Sequence, residues 1–341
     1  MAIEREELEK EKIYIEDTKC FIDKELRELT EEDKKLKERL FNIKKETKGK
    51  YSEELERFQK QYDITNKNLN SFIEAKKRPY FARVDFREKL REVEKIYIGK
   101  FGLSDSKTGD EYIVDWRAPI ADLYYSGTFG KVVYTAPIGE IEGKLSLKRK
   151  FLIEDGEIKD AFDEGINELI LRNKDNEETS LSDEFLRINL DQNVKNKLKD
   201  IVATIQKEQN EIIREDKNKA ILVQGFAGSG KTTIALHRLA YLLYRYRNNL
   251  KGNEFLVIAP NILFLDYILD VLPDLGVEDA AQSTLNDMFM KILGLKGKVF
   301  SKDDKLHKYL EEKDEDILKA SQIKASMKFK KLMDNYLKLI E

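Results

Sequence analysis

The run ILVQGFAGSGKTT at residues 221–233 constrains this chain more than any other stretch. It holds the pattern G-x-x-x-x-G-K-T over 225–232. Before it, Ala220, Ile221, Leu222 and Val223 are apolar and partly β-branched, which predicts a short buried strand. After it, residues 234–243 are apolar at helical spacing. Strand, glycine turn and helix together are the context that makes this pattern a phosphate site. Gly225, Gly228 and Gly230 let backbone N–H groups converge on phosphate oxygens, and the helix N-terminus adds partial positive charge. Phe226, Ala227, Ser229 and Thr233 complete the cradle. Lys231 would reach the β- and γ-phosphates, and the Thr232 hydroxyl would ligate Mg2+. These two are the candidate catalytic residues, Thr232 is the candidate metal ligand, and ATP with Mg2+ is the expected cofactor. No Asn-Lys-x-Asp occurs to read guanine. The plain alternative is a glycine turn that binds nothing.

A chain of 341 residues has room for two or three domains. Charged residues make up 37%, yet the net charge is only −3, so no global electrostatic field recruits nucleic acid and any basic surface is local. Cys20 is the single cysteine, which excludes an intramolecular disulfide. The N-terminus has no apolar signal core, and no apolar run reaches the roughly 18 residues of a membrane span. The expectation is a cytoplasmic protein without membrane contact.

Residues 1–78 read as a helical hairpin. Leu8, Ile15, Ile22, Leu29, Leu36 and Ile43 fall at intervals of seven, a sustained coiled-coil seam. Tyr51, Leu55, Phe58, Tyr62, Leu69 and Phe72 form a second apolar set, and the polar turn KKETKGK at 44–50 joins the two. Two helices on a short turn pack antiparallel. The pattern alone leaves a spacer or dimerisation arm and a probe that enters a partner equally open.

Residues 79–165 predict a small antiparallel β module. Strands are expected at 80–86, 95–101, 111–116, 131–135 and 144–153, by alternation and flanking turn residues. Trp116, the only tryptophan, begins a corner at WRAP, 116–119, where a packing role fits better than ligand stacking. Residues 173–184 read as an exposed polar loop, with helical texture resuming at Val194.

Residues 166–290 read as the first part of a nucleotide-binding lobe, and 291–341 as the helical start of an inserted subdomain. Gln209 lies just before the phosphate-loop strand. Its amide can donate and accept together, as an adenine edge requires; a surface glutamine is the alternative. Residues 254–259 predict a second buried strand, and Asn261 caps the helix that follows. Strand and helix alternate with short loops, so a parallel sheet is expected. No apolar strand ending in Asp-Glu follows Lys231, and no arginine-bearing second lobe follows either. The chain is therefore expected to be the N-terminal portion of a longer protein that binds nucleotide here and hydrolyses it poorly alone.

Four stretches carry a family resemblance: RPYFARVDF at 78–86, VDWRAP at 114–119, the run 205–238 through the phosphate loop, and APNILFLDYI at 259–268. In these the chain resembles the UvrD/Rep-like superfamily-one helicases, and among them the HelD proteins that associate with bacterial RNA polymerase. The resemblance implies a multidomain α+β and α/β fold: an N-terminal antiparallel coiled-coil hairpin, a small antiparallel β module and a partial RecA-like P-loop lobe with a parallel sheet. It implies that Gln209 reads adenine, that 225–232 hold the triphosphate, and that Asn261 touches single-stranded DNA. It also implies an ATP-dependent motor that displaces RNA polymerase from nucleic acid, with the arm at 1–78 entering the polymerase. A true DNA helicase of the UvrD/Rep class and a nucleotide-gated interaction module without turnover are the alternatives.

Overall fold

A computed structural model describes residues 3–46, 52–89, 91–105, 107–164, 201–247, 249–277, 280–295, 307, 310 and 315–340. They form two compact units, Met1–Glu254 with Asp270–Asp279, and Phe255–Leu269 with Ala280–Glu341. The turn expected within 44–50 and the loop and helix expected between 173 and 200 fall largely or wholly outside the described residues. No helix among those residues is long and apolar enough to cross a membrane.

The first unit begins with two long helices, α1 (Arg5–Glu46) and α2 (Glu53–Lys77). Ser52 caps α2 by accepting from the Leu55 N–H at 3.0 Å. Cross-helix pairs run in opposite order along the two helices: Arg39 with Glu54, Asp33 with Asn66, and Asp23 with Lys76. The helices are therefore antiparallel. Ile15, Ile22, Leu36 and Ile43 of the heptad series are buried.

The next residues build a seven-stranded sheet: β1 (Ala82–Glu88), β2 (Glu94–Gly99), β3 (Leu103–Ser104), β4 (Glu111–Asp115), β5 (Gly130–Ala136), β6 (Gly139–Glu154) and β7 (Glu157–Asp163). The order is β3-β4-β2-β1-β6-β5, and β7 also pairs with β6. The expectation of a purely antiparallel module needs one correction. β2 and β4 run parallel, with Ile98 opposite Val114. The reason is β3, which sits at the sheet edge and returns the chain, so that β4 enters beside β2 in the same direction. Between β4 and β5 lie a 3-10 turn, Pro119–Ala121, and the single helical turn α3 (Asp122–Tyr125).

The sheet does not close its own core. Ile15, Phe21 and Ile22 of α1 and Ala75 of α2 are buried with Tyr80, Tyr97, Leu103, Ile113, Phe151, Ile153 and Ala161. Tyr14 stacks on Tyr97 at 3.7 Å between ring centroids, and Phe21 stacks on Tyr112 at 4.2 Å. The near ends of the helices are thus part of the module's interior. At the β6–β7 turn, Gly156 has φ +77 and donates its N–H to the Lys77 carbonyl at 2.8 Å, closing the end of α2.

A buried ionic cluster fixes the same junction. Glu11 is fully buried, and its Oε1 accepts from Arg83 at 2.5 Å and from Arg149 at 2.6 Å. Its Oε2 accepts from the Tyr97 hydroxyl at 2.9 Å. Arg83 also grips Asp85, and Arg149 grips Asp163, each through two nitrogens. Burial opposes the charge of both guanidiniums, but these carboxylates hold them charged and raise their pKa.

The first unit continues into α4 (Lys207–Arg214) and α5 (Lys231–Arg245). The second unit holds β8 (Leu256–Ala259), parallel to β9 (Ala281–Thr284), with α6 (Ile262–Val271), all but its last two residues, between them in sequence and α7 (Leu285–Ile292) after them. Two further helices are α8 (Glu315–Lys324) and α9 (Met327–Ile340). The parallel pairing agrees with the expected sheet. The expected burial of β8 does not hold: Leu256 is 50% exposed and Ile258 47%. Among the described residues β8 pairs with β9 alone, and of its side chains only Ala259 is buried.

Candidate functional site

The phosphate loop connects α4 to α5. One expectation fails here. Residues 220–223 form no strand; Leu222 is 93% exposed and Ile221 36%. A strand exists through its ladder, and no described strand pairs with this segment.

The loop itself has the expected turn. Gly228 and Gly230 take φ of +82 and +80, a left-handed conformation that glycine adopts without steric cost. Gly230 is the residue before α5, and no side chain caps that helix. The first N–H groups of α5 therefore have neither an intrahelical acceptor nor a side-chain cap. A Cβ built on Gly228 would meet nothing within 4 Å, so the cradle is open. Lys231 and Thr232 open the helix and are half-buried. The Lys231 Nζ donates to the carbonyls of Gly225 at 2.9 Å and Phe226 at 2.5 Å. Phe226 is 90% exposed, and Ala227 and Ser229 are exposed with it. Thr233 lies one residue further into the helix, where its carbonyl accepts from His237 Nδ1 at 2.7 Å.

Gln209 stands beside this loop. Its Nε2 is 3.6 Å from the position a Cβ would take on Gly230. Its Oε1 accepts from the Gln206 backbone N–H at 3.1 Å in a reciprocal helix cap. An amide oxygen has two lone pairs, so this bond orients the group and leaves one acceptor site beside the donors. Gln209, Gly230, Lys231 and Thr232 thus come together. Asn261 belongs to the other unit, where its Oδ1 accepts from the Phe264 N–H at 2.9 Å as the cap of α6.

Sequence reasoning missed what holds α4 and α5 in place. The corner at 115–122 does so. Arg214 of α4 donates to the Trp116 carbonyl at 2.7 Å and to the Ala118 carbonyl at 3.2 Å. Asn210, buried, donates to Asp122 at 2.6 Å and accepts from Arg214 at 2.8 Å. Arg117 is clamped by Asp115, donates to the Leu275 carbonyl at 3.2 Å, and lies over the Tyr244 ring of α5. Trp116 is buried, as its size suggested, 5.5 Å from the His237 ring of α5. Arg238 of α5 donates to the Ile212, Ile213, Glu215 and Asp216 carbonyls, closing the end of α4. The available signal was local: Asn210 and Arg214 are four apart on the helix that carries Gln209.

His237 is the unusual group of this set. It is buried, and its Nε2 has no partner among the described residues. Burial lowers its pKa, Lys100 lowers it further, and the bond to Thr233 opposes them. A neutral imidazole with hydrogen on Nδ1 satisfies this geometry.

Among the described residues no cluster of three or more His, Cys, Asp or Glu could hold a metal ion. No curated protein matches the chain. The family model described as "DNA helicase IV HelD, N-terminal domain" matches residues 8–180, just over half of the chain, so the chain belongs to the HelD family.

Proposed function

We propose that residues 225–233 bind the triphosphate of ATP, and that the chain is part of an ATP-driven, superfamily-one helicase-like motor that remodels or releases RNA polymerase. The observation that carries the nucleotide reading is the joint placement of Gln209, Gly230, Lys231 and Thr232 around one open turn. Phosphate oxygens would take the uncapped N–H groups of α5 and displace the carbonyls from Lys231. Thr232 would ligate the Mg2+ that accompanies the triphosphate. Gln209 would meet the adenine edge through Nε2 and the remaining lone pair of Oε1.

Membership of the HelD family supports RNA polymerase as the partner, and the long helical arm supports contact through a probe. Asn261 would add a contact to single-stranded DNA through groups other than its cap-bound oxygen. Calorimetry with Mg-ATP on the parent chain and on Lys231→Ala tests the first part. Retention on immobilised RNA polymerase tests the second. Binding of ATP by both chains alike, or no retention of the parent, would count against the respective part.

A further inference from the structure

Helix α4 has only eight residues, so its own contacts define its position weakly and its anchors define it strongly. Gln209, in its first turn, faces the phosphate loop. Asn210 and Arg214 face the corner, and Asp122 receives both: Asn210 Nδ2 at 2.6 Å and Arg214 Nε at 3.3 Å. Asn210 is 2% exposed, so the loss of its acceptor would leave a buried amide donor unsatisfied. Helix α5 shares the Arg238 bonds with the end of α4 but also has anchors that do not pass through Asp122, namely Trp116 on His237 and Tyr244 under Arg117.

We propose that Asp122 is a positioning residue for base recognition. Through Asn210 and Arg214 it sets where Gln209 stands over the loop, and so sets the preference for adenine over other bases. The proposal rests on the nucleotide reading above. Its physical basis is a difference in tolerance. Bonds to a base edge weaken steeply with misalignment, whereas the triphosphate is gripped by the N-terminus of α5, which Asp122 does not touch. Asp122 therefore governs selectivity and leaves phosphate affinity alone.

The test is calorimetry with ATP, GTP and inorganic triphosphate, each with Mg2+, on the full chain. The variants are Asp122→Ala, Asp122→Asn, Asn210→Ala and Gln209→Ala. The parent should prefer ATP to GTP. Asp122→Ala should lose about five- to tenfold of that preference, the worth of one net hydrogen bond, with unchanged triphosphate affinity. Asn210→Ala cuts the same link from the other side and should match it. Asp122→Asn keeps an oxygen acceptor for Asn210 and should keep the preference. Adding Asp122→Ala to Gln209→Ala should cost nothing further, because the two act in series. The proposal is overturned if Asp122→Ala keeps the parent's preference while Gln209→Ala loses it. It is also overturned if triphosphate affinity falls in step with ATP affinity. A parent chain that binds none of the three ligands would overturn the nucleotide reading, and this proposal with it.

Discussion

Lys231 folds back across its own loop and donates from Nζ to the Gly225 carbonyl at 2.9 Å. The ammonium is thus held at the mouth of the turn by neutral acceptors. Phosphate oxygens are stronger acceptors, so a triphosphate should displace these carbonyls at small cost.

Removing this ammonium should cost at least tenfold in ATP affinity, since hydrogen bonds between charged groups contribute about 1.5–3 kcal/mol. The fold should be unaffected, because the side chain packs in no core. Calorimetry and thermal melting of Lys231→Ala check both halves. Equal ATP affinity in the variant and the parent would remove Lys231 from the site.

His237 gives a pH dependence with a definite sign. Its folded pKa lies below the ordinary value near 6.5 because burial disfavours the imidazolium. The folded chain therefore binds fewer protons than the unfolded chain just below 6.5. The stability this contributes is complete above 6.5 and is lost as pH falls through the folded value. Urea midpoints should drop between pH 7.5 and 5.5 in the parent and drop less in His237→Leu. The sole tryptophan, Trp116, lies 5.5 Å away, so its fluorescence should report the same titration. Identical slopes in both proteins would rule out His237 as the titrating group.

Glu11→Ala should destabilise the chain by roughly 3 kcal/mol, the typical cost of breaking a buried charge cluster from one side. Arg83 and Arg149 would keep Asp85 and Asp163 but lose the carboxylate they share, and the Tyr97 hydroxyl would lose its acceptor. ATP affinity should stay at the parental level. Denaturant titration measures the loss, and a change below about 0.5 kcal/mol would show the cluster to be incidental.

The arm can be shortened without opening the module only beyond its root. Deleting residues 1–75 would remove Ile15, Phe21 and Ile22 from the shared core. Replacing residues 34–65 by a short glycine–serine turn keeps Asp33 beside Asn66, where the helices already touch. This variant should fold and bind ATP as the parent does but lose retention on RNA polymerase. Full retention would place the contact elsewhere on the chain.

The heptads, the glycine turn and most strands were legible because each depends on neighbours in sequence. The spacing of Ile15, Ile22, Leu36 and Ile43 announces α1 directly. What escaped depends on partners distant in the chain. Glu11 is one carboxylate among many in a helix rich in Glu and Lys, and nothing local sets it apart; only Arg83 and Arg149 explain its burial. The parallel pairing of β2 with β4 depends on β3, whose two residues carry no strand pattern of their own. Of the site, the loop was readable and its supports were not. Asp122, Asn210 and Arg214 are ordinary polar residues until the fold brings them together. Residues 220–223 show the reverse error, since an apolar segment predicts a strand whether or not its ladder is present.

The long helix α1 is anchored through the module's interior rather than hung from a linker, and this has a mechanical meaning. At about 1.5 Å per residue, the stretch 22–46 extends about 36 Å past the last anchoring isoleucine. A rigid beam of that length converts about 5° of tilt at its base into about 3 Å of travel at its far end. Small rearrangements around Glu11, too slight to disturb packing, would thus be read out as displacements as large as a side chain.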